Sequence, residues 1–175
     1  MPALPLLFAT ALATAPAPIS VGLHALLFSL PAVNEDAATE AVGRSQIGLS
    51  DFVGMNPPHP SKAVVVHFFD RAHGAEALAP LDRIQRKYGS RGVQVLAVNT
   101  DTGDMGELST WLEGQKLGFP VLRDNHHVVS GRYGLEDLPL TVVVDASGYV
   151  FAIGQPKGDA VELELQSELE PLLDK

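Results

Sequence analysis

The sequence predicts one α/β domain, and three observations carry that prediction. An apolar run, Ala63-Val64-Val65-Val66-His67-Phe68-Phe69, leads through residues 70–76 into a helical pattern. A second strand and helix follow it, and the chain then closes with a β-hairpin and a last amphipathic helix. Strands that alternate with helices favour parallel pairing and right-handed crossovers. With 175 residues, 46% of them hydrophobic, the chain can bury one full core but is cramped for two independent domains.

Residues 1–21 are a small, apolar N-terminal segment, set apart from the domain expected over 22–175. Within it, 4–13 is an uncharged run of the length of a signal-peptide core, and Ala9-Thr10-Ala11 and Ala13-Thr14-Ala15 are small-x-small cleavage patterns. Against export, the first Lys or Arg is Arg44, so the basic start of such a signal is missing. Two readings stay open: a signal peptide within 1–15, giving a periplasmic or exported protein, or an arm on a cytoplasmic one. The run is too short to cross a bilayer, so no integral membrane span is expected.

Strands expected at 26–31 and 46–49 form an N-terminal β-hairpin around an acidic loop at 34–41. Asn56-Pro57-Pro58-His59-Pro60 is a linking loop, because its three prolines fix φ and remove donors. After the apolar run, Ala77, Leu78, Leu81, Ile84 and Tyr88 fall at helical spacing, with Arg83, Gln85, Arg86 and Lys87 on the other face. Gly89 ends that helix, and Pro80 predicts a kink in it. The next strand is 93–99, followed by a loop and a helix over 107–116 with Leu108, Trp111 and Leu112 inward. A short strand at 119–122 and a short helix at 128–133 come next. The strand 140–144 turns at Asp145-Ala146-Ser147-Gly148 into 149–153, with Gly148 placed for a positive φ. A final helix opens at Gly158-Asp159, with Val161, Leu163, Leu165, Leu169 and Leu172 as its apolar face.

Composition narrows the chemistry. Twelve Lys and Arg against 21 Asp and Glu give a net charge of −9, which opposes a phosphate backbone, so no nucleic-acid partner is expected. The chain has no Cys, which excludes disulfides, thiolate metal sites and thiol nucleophiles. At a strand–helix junction the first helical N–H groups lack partners and the peptide dipoles favour negative charge. That places the candidate site at Arg71, Ala72, His73 and Glu76. His73 and Glu76, three residues apart, form a candidate acid/base pair. The plainer reading is preferred: Glu76 complements the helix dipole, His73 is a solvated loop or cap residue, and two such groups alone define no reaction. The candidate ligands His59, His67, His73, His126, His127 and Glu76 match no H-x-x-x-H or H-E-x-x-H spacing, so neither a metal nor a cofactor is expected. Asp70 and Arg71 at the strand end are read as a solvated ion pair in preference to an anion site, and Trp111 as core.

Several strings, taken in order, resemble one family. They are Phe28-Ser29-Leu30-Pro31, Leu49-Ser50-Asp51-Phe52, the run 64–69, Gly92-Val93-Gln94-Val95-Leu96-Ala97-Val98-Asn99, Phe119-Pro120-Val121-Leu122-Arg123-Asp124, Tyr133-Gly134-Leu135 and Leu138-Pro139-Leu140-Thr141. Together they resemble the thioredoxin-like redoxins of the TlpA and AhpC/TSA peroxiredoxin-related branch, over about 22–173. The resemblance implies a thioredoxin-like fold, a central mixed β-sheet of four or five strands flanked by helices, with the N-terminal β-hairpin added. It also implies that Pro139 is cis and faces the redox site, and that the backbone just before it pairs with extended peptide. Leu138 and Pro139 thereby join Arg71, Ala72, His73 and Glu76 as an expected surface for an extended peptide or protein partner.

The departure lies at the reactive motif. Such oxidoreductases carry C-x-x-C after the core strand, whereas this chain has His73-Gly74-Ala75-Glu76; the P-x-x-x-T-x-x-C string of peroxiredoxins is missing too. The expectation is a redox-inactive binding or accessory module. Two alternatives stand beside it: an enzyme with non-thiol or metal-assisted activity through His73 and Glu76, or an oxidoreductase whose cysteines have been replaced in the sequence as given.

Overall fold

A computed structural model describes residues 19–174. The expected N-terminal segment therefore lies almost entirely outside the described residues. Strand β1 (Ser29–Pro31) pairs antiparallel with β2 (Gln46–Gly48), as the hairpin reading requires. The acidic stretch between them is not a loop. It is helix α1 (Glu35–Val42), whose first-turn acids Glu35 and Asp36 suit the helix dipole while Ala37, Ala38 and Val42 are buried. Gly43, at φ 75°, ends it by donating its N–H to Thr39 O. Leu49 leaves the strand as well, opening a 3-10 turn (Leu49–Asp51) in which Asp51 accepts from the Gly48 N–H at 2.8 Å.

The main sheet has five strands in the order β5-β4-β3-β6-β7. Its centre is β3 (Ala63–Phe69), buried at every residue, parallel to β4 (Val93–Asn99) and antiparallel to β6 (Leu140–Asp145). Outside them lie β5 (Val121–Arg123), parallel to β4, and β7 (Val150–Gly154), antiparallel to β6. The hairpin turn between β6 and β7 has Gly148 at φ 88°, as its sequence predicts.

Alternation along the strands sorts two cores. Ala63, Val65 and Phe69 of β3, with Val95 and Ala97 of β4, lie under α2 (Leu78–Tyr88), α3 (Met105–Glu113) and α5 (Ala160–Leu173). Val64, Val66 and Phe68 face the N-terminal layer and α4 (Val128–Arg132), against Phe28, Ile47, Phe52 and Tyr133. Each face thus removes a row of branched and aromatic side chains from water, and a one-residue slip in register would invert both.

Three helix details depart from the sequence reading. Pro80 does not interrupt α2: it is the third residue, where the N–H has no intrahelical partner in any case, and a 3-10 turn (Ala75–Ala77) leads into the helix. Helix α3 begins two residues earlier than its apolar spacing implies, because the Asp104 side chain caps it by accepting from the N–H groups of Gly106 and Glu107. On α5, Leu163 is 75% exposed. The inward row there is Val161, Leu165, Leu169 and Leu172, and Leu163 sits two residues off it, on the opposite side of the helix.

The stretch before α1 crosses the molecule and touches both outer strands. At β7 the Gly22 N–H donates to Val150 O and the Val150 N–H to Leu23 O, both at 2.8 Å; at β5 the Val33 N–H donates to Val121 O at 2.7 Å. Among the described residues no helix is long and apolar enough to cross a membrane.

Candidate functional site: the corner after the central strand

The corner is built by one aspartate and one glycine. Asp70, directly after β3, accepts through Oδ1 from the backbone N–H groups of Ala72 (2.8 Å) and His73 (2.6 Å), folding residues 70–73 into a tight turn. Gly74 then adopts φ 91° and turns the chain inward. A Cβ at this position would lie 2.7 Å from Pro139 Cβ and 3.1 Å from Phe69 Cβ, so only glycine fits. Opposite it, the Leu138–Pro139 peptide is cis, as the resemblance implies.

The corner is held from beneath by His67, which lies on the same face of β3 as Val65 and Phe69 and is wholly buried. Its Nε2 is 3.1 Å from Gly74 O and its Nδ1 is 2.9 Å from Thr141 Oγ1. A carbonyl only accepts, so Nε2 carries the proton and Nδ1 accepts from the Thr141 hydroxyl. Burial drives the His67 pKa down from 6.5 to about 4, outweighing the opposing pull of the Gly74 carbonyl and the Glu76 charge. The imidazole is therefore a neutral tie between the turn and the strand that leaves cis-Pro139.

Each residue expected at the site is near this corner, but their pairing differs from the expectation. His73 and Glu76 do not meet. Gly74 breaks the helix between them, so His73 lies in the preceding turn with Nδ1 3.0 Å from Asp70 Oδ1, while Glu76 Oε2 accepts from the Gly74 N–H at 3.1 Å. Arg71 turns away from Asp70 as well: Asp101 Oδ2 lies 3.4 Å from its Nε and accepts from its backbone N–H at 3.1 Å. Ala72 is exposed, Leu138 half-buried and Pro139 buried. Trp111 is half-buried beside Phe69, at 6.5 Å between ring centroids. Among the described residues no group of three or more His, Asp or Glu side chains gathers where it could hold a metal ion.

Residues outside the expected set complete the picture: His67, Thr141 and Gly74 beneath the corner, and Asp101 beside it. The one signal of them in the sequence is His67 itself, a lone titratable residue in an otherwise apolar strand. Beyond Asp70 and Leu138 opens a cleft of about 500 Å³, walled by the β4–α3 loop, α4 and the loop before cis-Pro139.

This topology, with a glycine-tight turn set against a cis-proline at the end of a central strand, has relatives. Residues 21–153 match the AhpC/TSA family. The chain belongs to that family. Among curated proteins, this redoxin is similar to the thiol-disulfide oxidoreductase ResA of Bacillus thuringiensis (strain Al Hakam) and that of Bacillus anthracis. Each is 26% identical over 92 residues, covering 53% of this chain and 51% of the relative. The chain thus spans about half the length of the curated relatives it matches. In three dimensions it is similar to a putative thiol:disulfide interchange protein DsbE from Chlorobium tepidum. The TM-score is 0.73 at 23% identity, covering 89% of this chain and 99% of that one. The peroxidoxin BcpB from Mycobacterium tuberculosis gives a TM-score of 0.68 at 16% identity over 87% and 97% of the two chains. At these identities the structures establish the thioredoxin-like fold alone. This redoxin has the fold and the cis-proline but no cysteine, so it offers no thiolate for exchange or peroxide reduction.

Proposed function

We propose that this cysteine-free redoxin is a binding or accessory module that holds an extended peptide segment at the corner of Ala72, His73 and Glu76 and along the Leu138–Pro139 loop. One observation carries the reading: the backbone of the corner is tightly specified while the side chains projecting from it include no thiol. Gly74 at φ 91°, the contact with cis-Pro139 and the buried His67 tie all fix geometry, and none of them supplies a nucleophile. A peptide can use that geometry through main-chain hydrogen bonds, which need no thiol. Pairing of β6 with β3 begins only at Leu140, so the N–H and C=O of Leu138 stay outside the ladder and, among the described residues, have no hydrogen-bond partner that an added strand would displace. The competing reading, a non-thiol enzyme, loses support because His73 and Glu76 have separate partners and no shared reaction centre.

Two measurements on the intact chain test the proposal. A disulfide-exchange or peroxidase assay should show no turnover above buffer, and backbone amide shifts on titration with extended peptides should cluster at 72–76 and 137–141. Turnover of either substrate, or shifts confined to another surface, would overturn it. His73→Ala and Glu76→Ala should leave any catalytic background unchanged; a loss of activity in either would favour the enzyme reading.

A further inference from the structure

We infer that the end of the molecule around the β6–β7 turn rests on a neutral lipid surface, with the corner of Gly74 and cis-Pro139 facing away from it. Three segments meet at that end. The Gly22 N–H donates to Val150 O and the Val150 N–H to Leu23 O, both at 2.8 Å; the Ala25 N–H donates to Gly148 O and the Gly54 N–H to Ala146 O, both at 2.9 Å. The His24 ring stacks on Tyr149 with centroids 3.9 Å apart. Among the described residues eight large apolar side chains are exposed, and four of them, Val21, Leu23, Met55 and Tyr149, belong to this end; Met55 is 95% exposed. Segments 19–28, 53–60 and 146–150 contain no Asp, Glu, Lys or Arg, in a chain with 21 Asp and Glu and 12 Lys and Arg. An isolated exposed leucine needs no explanation, but an apolar group gathered on an uncharged surface marks a contact.

Four features select lipid as the occupant. The segments are irregular, yet the N–H groups of Gly22, Leu23, Ala25, Gly54, Ser147, Gly148, Tyr149 and Val150 all donate within the protein, and Pro57, Pro58 and Pro60 have none to place. Backbone that enters an apolar phase has to bring its hydrogen bonds with it. A protein partner is steered and set in register by charges, which these segments lack, and neither large cleft takes a residue from them. Tyr149 combines an apolar ring with a polar tip, as a lipid–water boundary requires. The apolar, uncharged run 4–13 leads into the described chain at Ile19, so the two apolar parts of the protein adjoin in sequence. A net charge of −9 opposes anionic headgroups, which makes the surface a zwitterionic one. Orientation follows from the sheet. Ala63 pairs with Asp145 and Phe68 with Leu140, so the turn lies at the start of β3 and the corner at its end, roughly 20 Å away at about 3.3 Å per residue. Lipid contact at the turn thus leaves the corner open to solution.

The test uses the full chain and phosphatidylcholine vesicles. Because the protein has no Cys, Met55→Cys accepts a single environment-sensitive fluorophore, and Leu163→Cys on α5 is the matching exposed control. On vesicles the dye at 55 should shift to the blue and be quenched by nitroxide-bearing lipid, while the dye at 163 should not change. In vesicle co-sedimentation, Leu23→Ser with Met55→Ser should weaken binding about tenfold, whereas Leu163→Ser should leave it unchanged. Phosphatidylglycerol vesicles should bind more weakly than phosphatidylcholine at low salt and approach it as salt is raised. An unshifted dye at 55, or equal binding of the double variant and the parent, would place any lipid contact elsewhere and overturn the inference. Stronger binding to phosphatidylglycerol would overturn the neutral surface. Concentration-dependent dimerisation in sedimentation velocity, lost in the double variant and without vesicle binding, would make this end a contact between copies and overturn the lipid reading. None of these outcomes bears on peptide binding at the corner, which is tested separately by its amide shifts.

Discussion

Two histidines six residues apart, His67 in the strand and His73 in the turn above it, divide the corner into a part that is fixed and a part that is free. His67 is wholly buried, neutral and tied at both ring nitrogens. His73 has 64% of its side chain exposed and, among the described residues, hydrogen-bonds only with Asp70. The contrast teaches that the scaffold of a redox corner and its reactive groups are separable. The geometry is held by buried residues tied within the fold, so the exposed ones can change without loss of shape.

The largest effect should come from breaking the fixed part. His67→Ala removes a fully buried ring and leaves the Thr141 hydroxyl and Gly74 carbonyl unpaired, which should cost roughly 3–5 kcal/mol in urea unfolding. A variant as stable as the parent would erase the distinction between the two histidines.

Next in size is the pH dependence of the same residue. Its folded pKa of about 4 lies below the unfolded 6.5, so on acidification the unfolded chain takes up the proton first. The contribution of neutral His67 is complete above pH 6.5 and is lost as pH falls from there towards 4, about 3 kcal/mol in all. Urea midpoints across this range should fall more steeply for the parent than for His67→Gln, and parallel curves would contradict the buried tie.

Gly74→Ala tests the contact above that tie. The added methyl meets Pro139 at 2.7 Å and forces φ 91° on an L-residue, so about 2 kcal/mol of stability should be lost, together with any peptide binding at the corner. The smallest effect belongs to the free part: His73→Ala should change stability by less than about 0.5 kcal/mol. A larger loss would move His73 into the fixed set.

How much of this was legible beforehand depended on whether the signal was periodic or spatial. Strands β3 and β4 match their expected ranges to the residue because an apolar run in the middle of a sheet has few other uses. Helix α1 was hidden since Ala37 and Ala38 bury little and the surrounding acids look solvated; its anchor is Asn34, which bonds Phe119 O and the Val121 N–H some 85 residues away. The cis-proline of the corner was readable through the resemblance, but the pairing of the side chains around it was not. Whether His73 faces Glu76 or Asp70 turns on the left-handed Gly74, which packs so closely on Pro139, 65 residues further along the chain, that no side chain fits there. Ser130 and Asp101 reach the cleft from still other elements, and no local pattern announces such a meeting.

The stretch that touches both outer strands also sets where this protein can be cut. Strands β5 and β7 end the sheet, and the N–H and C=O groups at such an end are a template for another chain. Gly22 and Leu23 occupy that template at Val150, and Val33 occupies it at Val121. A fragment trimmed to start at β3 would keep every strand of the main sheet yet bare both margins, inviting sticky edge-to-edge pairing between copies. Residues 22–33, a dozen residues with little regular structure, thus cover points on both margins of the sheet.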